Sequence, residues 1–135
     1  MGSGMSKKKA AKTAHAFAVI DISESMQVKG RLWISKGGET YLSWGRVCLL
    51  ENIQQTSSIA AAARELQMSY NHAWKLVKKM NQLSGVPLVE RQAGGFGGGG
   101  AHLTPAGEKA VAAFWDMIND FQQWLKRRDL SEWQS

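Results

Sequence analysis

Residues 58–83 read SIAAAARELQMSYNHAWKLVKKMNQL, and the way this stretch divides decides the fold. Ile59 to Leu66 is short and alanine-rich, and small residues such as Ala62 and Ala63 let another helix approach closely. Gln67-Met68 makes a turn, with Met68 plugging the core, and Ser69 is the natural N-cap of a second helix. Stepping roughly 100° per residue from Ser69, the side chains of Ala73, Leu76, Val77, Met80 and Leu83 fall within an arc of about 120°, which Tyr70 and Trp74 extend on one side. Asn71, Lys75, Lys78, Lys79 and Gln82 occupy the opposite arc, with His72 on its edge. Taken alone, such a helix is an ordinary amphipathic one with a solvated charged face. Two helices, a tight turn and a basic, amide-bearing arc are also what is needed to lay a helix in the major groove of DNA. The flanking segments choose between these readings.

Upstream, Gly45 to Gln55 reads as a first helix, with Val47, Leu50 and Ile53 on its apolar face and Cys48 and Leu49 beside them. Thr56, Ser57 and Ser58 interrupt it and supply caps for the next helix. The helix starts at Ser58 and Ser69 offer backbone N–H groups and hydroxyls suited to phosphates. Asn81 lies beside the apolar arc, and is assigned a buried, backbone-bonding role rather than a base contact.

Downstream, VPLVER (86–91) and AHL (101–103) read as two short strands separated by the glycine-rich tip 94–100, GGFGGGG, which makes a wing. Glycines such as Gly97 and Gly98 carry no Cβ, so the tip is read as mobile, with its backbone approaching the sugar-phosphate ladder. The tip also satisfies G-x-G-x-x-G, but a dinucleotide site needs a helix opening from those glycines within a βαβ unit, and here an apolar stretch and Pro105 follow. Thr104 as N-cap and Pro105 at the first position then start a long helix running to about Arg128. Ala110, Phe114, Met117, Phe121 and Trp124 follow 4-3-4-3 spacing along it, with Val111, Ile118 and Leu125 widening the stripe. Part of that seam must cover the domain's own core. The remainder is too aromatic for the flank of a small domain, and a second copy of the same helix is the simplest partner.

Ahead of the helices, Val28 to Ser43 reads as a β-hairpin in which RLWIS and ETYLS flank Lys36-Gly37-Gly38. Leu32, Ile34, Tyr41 and Leu42 do not define one clean face. Residues 1–27 read as a flexible basic leader, of which 1–4 resemble an expression scar. The domain proper is then expected over 28–135, with its dimerisation helix at 104–128.

Composition narrows the function. The chain has 135 residues and a net charge of +6, enough length for one domain with a real core. Lys7, Lys8, Lys9 and Lys12 sit in the leader, and without these four lysines the balance falls to +2. Where the folded part carries its charge therefore matters more than the total. A single cysteine, Cys48, excludes an internal disulfide and a cysteine metal cluster, and its apolar setting reads as a buried thiol. No 18-residue apolar run exists, so no membrane span is expected and the cytoplasm is the expected compartment. His15, His72 and His102 lie far apart without acid partners at ligand spacing, and no nucleophile motif or carboxylate pair completes an active site. Neither an enzyme nor a metal protein is expected.

Helix, helix, turn, helix, wing and long helix make a mainly α fold with a small β component, a winged helix-turn-helix. SIAAAARELQMS, GVPLVER and LTPAGE resemble the N-terminal DNA-binding domain of LysR-type regulators. SYNHAWKLVKKMNQLSG and LVERQAGGFGGGGAHLT are more similar to the DNA-binding domain of molybdate-responsive ModE-type regulators. The likeness covers about Arg46 to Phe121. It implies a homodimeric transcriptional regulator that binds double-stranded DNA at an inverted-repeat operator. It also implies DNA contacts from Ser57 and Ser58, from Ser69, Tyr70, Asn71, His72, Lys75 and Lys79, and from Arg91 with the wing glycines. Full-length ModE-type regulators carry C-terminal oxyanion-binding modules, whereas this sequence stops at Ser135. The expectation is therefore no cofactor, with any molybdate or tungstate response implied by the family alone. A protein-interaction module built on the long apolar helix is the rival reading; its recognition helix would carry apolar anchors on the exposed arc.

Overall fold

A computed structural model describes residues 18–92, 100–128 and 131–133. Among these residues four β-strands come first: β1 (Ala18–Ser23), β2 (Met26–Gly30), β3 (Trp33–Lys36) and β4 (Glu39–Ser43). Four α-helices carry the body: α1 (Trp44–Thr56), α2 (Ile59–Glu65), α3 (Tyr70–Ser84) and α4 (Pro105–Arg127). The wing strands β5 (Val89–Arg91) and β6 (Ala101–Leu103) stand between α3 and α4, and a short 3-10 turn follows at Ser131–Trp133. The strands form three separate antiparallel pairs, β1–β2, β3–β4 and β5–β6. The winged helix-turn-helix read from the sequence is this fold.

The hairpin at 33–43 turns at Gly37 and Gly38, whose φ values of 61° and 82° are the two positive angles that a tight two-residue hairpin loop requires. Its register shifts between Ile34 and Ser35, because Ile34 pairs with Leu42 while Ser35 pairs with Thr40. Tyr41 is thus the extra residue of a bulge. The bulge resets the alternation of β4, so that neighbouring Tyr41 and Leu42 both pack on the core, which is why no single face could be read from the sequence. The leader is shorter than expected. Residues 18–27, read as part of a flexible tail, lie mostly in β1 and its partner β2, paired from Ala18 with Gly30 to Ser23 with Met26. Lys7, Lys8, Lys9 and Lys12 lie outside the described residues.

Helix α1 is the centre of the core. Trp44, Val47, Cys48, Leu49, Leu50, Asn52 and Ile53 are all buried, and the helix touches α2, α4, β4 and β6. Ser43 caps its start by accepting from the Arg46 amide at 3.3 Å. The indole of Trp44 meets Trp115 of α4 edge-on at 4.9 Å, and Trp115 meets Phe114 edge-on at 5.4 Å, a geometry that aromatic pairs prefer. Ala62 and Ala63 are fully buried where α2 crosses its neighbours.

The turn between α2 and α3 closes with a paired cap. The Gln67 amide donates to the Arg64 carbonyl at 3.1 Å, and the Met68 amide donates to the Ala63 carbonyl at 3.0 Å. Gln67 sits at φ 58°, the left-handed position that glycine usually fills in this motif. Met68 follows and packs against the core.

At the far end of α3, Gly85 terminates the helix at φ 81°. The start of α4 is then fastened to the segment that leads into β5. Thr104 donates its hydroxyl to the Pro87 carbonyl at 2.7 Å and its amide to the Leu88 carbonyl at 2.9 Å. Gly107, one turn into α4, lies so close to Leu88 that a Cβ there would collide with the Leu88 carbonyl oxygen.

Candidate nucleic-acid interface

The recognition helix α3 keeps the two faces read from its sequence. Ala73, Val77 and Met80 are buried, while Asn71, His72, Lys75, Lys78 and Gln82 are exposed. Tyr70 is 44% exposed at the first turn, so it belongs with the polar face rather than with the core. Trp74 is half-buried, with its ring turned toward the wing base.

The serines at the helix starts serve as caps. Ser69 Oγ accepts from the His72 amide at 3.0 Å, and Ser58 Oγ accepts from the Ala61 amide at 3.0 Å. A hydroxyl that accepts from the backbone keeps its own O–H to donate, so both serines retain a hydrogen for a phosphate oxygen. Ser57 is exposed and left-handed, at φ 57°. That angle aims its carbonyl at the wing, where the Ala101 amide donates to it at 3.0 Å. Ser57 thus hangs β6 on the junction between α1 and α2.

Asn81 sets the wing against α3. Its Nδ2 donates to the Val89 carbonyl at 3.0 Å, and its Oδ1 accepts from the amides of Leu88 at 2.8 Å and Val89 at 3.2 Å. This is the backbone-bonding role expected for it. Arg91, at the end of β5, lays its guanidinium 4.7 Å over the Trp74 ring. The arginine that leads into the wing tip is therefore carried by the recognition helix itself. The pairing has no local signal in the sequence, since the partners are far apart and neither lies in a charged cluster. Gly97 and Gly98, read as backbone-approaching tip residues, lie outside the described residues.

Lys79 stands apart from the other lysines of the arc. Its ammonium is 2.6 Å from Glu39 Oε1, at the start of β4. In the free protein this cation, read as a DNA contact, already has a carboxylate partner, whereas Lys75 and Lys78 are exposed. In the wing, Glu90 and His102 are cross-strand neighbours, with His102 Nε2 3.6 Å from Glu90 Oε1.

The five residues read as a dimer seam do not share one environment. Phe114 is fully buried in the chain's own core, which is a correction: the stripe that covers α1 takes Phe114 along with Trp115 and Ile118. Ala110 and Met117 are partly buried against the same core. Phe121 packs against β2, where a Cβ on Gly30 would lie 2.5 Å from its ring. Trp124 is 49% exposed and stacks on Phe121 at 6.3 Å.

Cys48 is buried in the core, and desolvation, with the nearby Glu51 carboxylate second, pushes its thiol well above the ordinary range. Among the described residues no group of three or more His, Cys, Asp or Glu side chains could hold a metal ion. Among them, too, no helix is long and apolar enough to cross a membrane.

Residues 44–108 match the bacterial regulatory helix-turn-helix protein family of the lysR type. A molybdenum-pterin-binding protein, MopB of Rhodobacter capsulatus, is 55% identical over 69 residues, which are 51% of this chain and 26% of the relative. The transcriptional regulator ModE of Yersinia pestis is 46% identical over 78 residues, 58% of this chain and 29% of the relative. The DNA-binding transcriptional dual regulator ModE of Escherichia coli K12 is 42% identical over a segment of the same length. Residues 44–108 thus resemble the lysR-family helix-turn-helix, and the relatives at 42–55% identity support a ModE-type DNA-binding domain. The chain spans between about a quarter and a third of the length of the relatives it matches. The lysR-family match runs from Trp44 to Glu108, so it takes in α1, the helix-turn-helix and the wing. Most of α4 and both N-terminal hairpins lie outside that match.

Proposed function

We propose that this chain is the DNA-reading part of a transcription regulator, and that it binds an inverted-repeat operator as a homodimer. The observation that carries the reading is the exposed arc of α3. Asn71, His72, Lys75, Lys78 and Gln82 present amides, an imidazole and ammonium groups to solvent, and no aliphatic anchor stands among them. Amide side chains suit the adenine edge, and lysine suits the guanine edge or a phosphate. Ser58 and Ser69 face the backbone with one free hydroxyl hydrogen each, Tyr70 adds a phenol at the same end, and Arg91 enters from the wing. A two-fold pair would present two such helices to half-sites about one helical turn apart or a multiple of it. The rival reading, a protein-interaction module working through α4, rests on the exposed Trp124 and leaves the polar arc of α3 without a use.

The act of reading DNA needs no cofactor in this scheme. Adding molybdate or tungstate to the chain should leave its DNA isotherm unchanged. The deciding experiment selects bound sequences from a random duplex library, then titrates the selected duplex at two salt concentrations. Replacing Lys75 or Lys78 by alanine should lower the salt slope by about 1 where the lysine meets a phosphate. Where it reads a guanine, discrimination at one base pair should instead fall by about 1–3 kcal/mol. Binding no tighter than that of an unrelated basic protein would overturn the reading.

A further inference from the structure

Two contacts tie the tip of the β3–β4 hairpin to the second half of α3. Lys36 Nζ donates to the Leu83 carbonyl at 2.6 Å, and Lys79 Nζ donates to Glu39 Oε1 at 2.6 Å. Lys36 and Glu39 are cross-strand partners on either side of the Gly37-Gly38 turn, so the tight turn sets a cation and an anion side by side. The cation lands on the carbonyl end of the helix, where positive charge is favoured. The anion lands one turn earlier, on Lys79.

The wing grips the opposite flank of the same helix through Arg91 and Trp74. At roughly 100° per residue, Trp74 and Lys79 stand about 140° apart around α3. Asn71, Lys75, Lys78 and Gln82 lie between them. The exposed arc is thus bordered on one side by an arginine and on the other by a lysine whose charge is matched.

We propose that Glu39 is a specificity-determining residue: it holds Lys79 in an ion pair and withholds that cation from DNA phosphates. The proposal rests on the DNA-binding reading of α3. A free lysine at this border would attract a phosphate on any sequence. It would count most in the non-specific complex, which is held by phosphate contacts alone and can shift to use the added cation, whereas base contacts fix the register of the specific one. With Glu39 beside it the ammonium offers little net charge, and the carboxylate itself repels a phosphate. Affinity then depends more on the side chains of the arc that reach base edges. The two side chains are 39% and 53% exposed, and ion pairs so open to water add little to stability. The pair's consequence is therefore larger for the charge presented to DNA than for the fold.

The test uses the full chain, a random-sequence duplex and the sequence selected from the library, between about 50 and 200 mM salt. Glu39→Gln should steepen the salt slope on random duplex by about 0.9, the value of one added phosphate contact. Affinity for random duplex should rise several-fold, and the ratio of specific to non-specific affinity should fall. Lys79→Ala alone should leave the wild-type slope unchanged, and the double variant should return to it. The proposal is overturned if Lys79→Ala lowers the wild-type slope by about 1, since the lysine would then reach phosphate despite Glu39. An unchanged slope in a Glu39→Gln protein that melts like the wild type overturns it equally. The Lys79→Ala arm does not depend on how Glu39→Gln folds. Failure of the underlying DNA reading looks different: the wild type itself would show no selected sequence, and Lys75→Ala would change nothing.

Discussion

Asn81 and Val89 hold each other by a pair of hydrogen bonds: Asn81 Nδ2 donates to the Val89 carbonyl at 3.0 Å, and the Val89 amide returns a bond to Asn81 Oδ1 at 3.2 Å. Leu88 adds a third bond at 2.8 Å. Leu88 and Val89 are both buried, so water cannot replace the amide. Asn81→Ala would strand buried polar groups, each costing about 1–3 kcal/mol. The expected outcome is a large drop in denaturant midpoint, together with faster hydrogen exchange at the Leu88 and Val89 amides. A loss of less than about 0.5 kcal/mol, the size of an ordinary surface change, would show that the wing is held by other means.

The glycines of two helices behave oppositely. Gly107 lies against the Leu88 carbonyl, where a Cβ has no room, while a Cβ on Gly45 meets nothing within 4 Å. Gly107→Ala should destabilise by about 1–3 kcal/mol, the usual cost of forcing an extra carbon into a packed site. Gly45→Ala should stabilise by up to about 1 kcal/mol through helix propensity. Thermal melts of the two single variants check both signs.

Burial raises the Cys48 thiol, with Glu51 adding to the shift, so the reactive thiolate is disfavoured at neutral pH. A raised value in the folded state means that stability is present while the thiol is protonated and falls at high pH, where the unfolded chain alone ionises. The native protein should resist thiol alkylation near pH 8, and labelling should follow global unfolding in denaturant. Rapid labelling of a fully folded sample would contradict the burial.

How much of this was legible in the sequence depends on how local the cause is. Ser69 and Thr104 could be read as caps because each side chain serves an amide three residues on. Asn81 was legible as a polar residue at the border of an apolar arc, although its partners at Leu88 and Val89 were not. The ion pair of Glu39 with Lys79 and the stack of Arg91 on Trp74 join distant parts of the chain, and no periodicity encodes them. Tyr41 and Leu42 defeated the alternation rule through a bulge. Residues 18–23 carry no decisive strand signal of their own, because β1 is a strand through its pairing with β2, and pairing is not a property of one segment. Phe114 falls on the seam by its 4-3-4-3 spacing, and such spacing marks a stripe without saying what covers it.

The proposed homodimer is best tested at Trp124. Its ring is 49% exposed, lies nearly parallel to Phe121 with 13° between the planes, and has the Arg128 guanidinium 5.4 Å from its centroid. A charge at Phe114 or Phe121 would damage the chain's own packing, on the core or against Gly30, so loss of association there could not be separated from loss of fold. Trp124 separates the two. Burying a large apolar side chain is worth roughly 1.5–3 kcal/mol, and two-fold symmetry counts each substitution twice, enough to offset much of the surplus that holds a small dimer together. Trp124→Asp should therefore melt within a few degrees of the wild type yet sediment as a monomer at micromolar concentration. Its affinity for the selected duplex should fall steeply while that for random DNA changes little, because the second half-site is no longer bound by a linked partner. Phe121→Asp, by contrast, should lower the melting temperature as well. A Trp124→Asp protein that remains dimeric would place the interface elsewhere, and a wild type sedimenting at the 14.9 kDa of one chain would overturn the dimer.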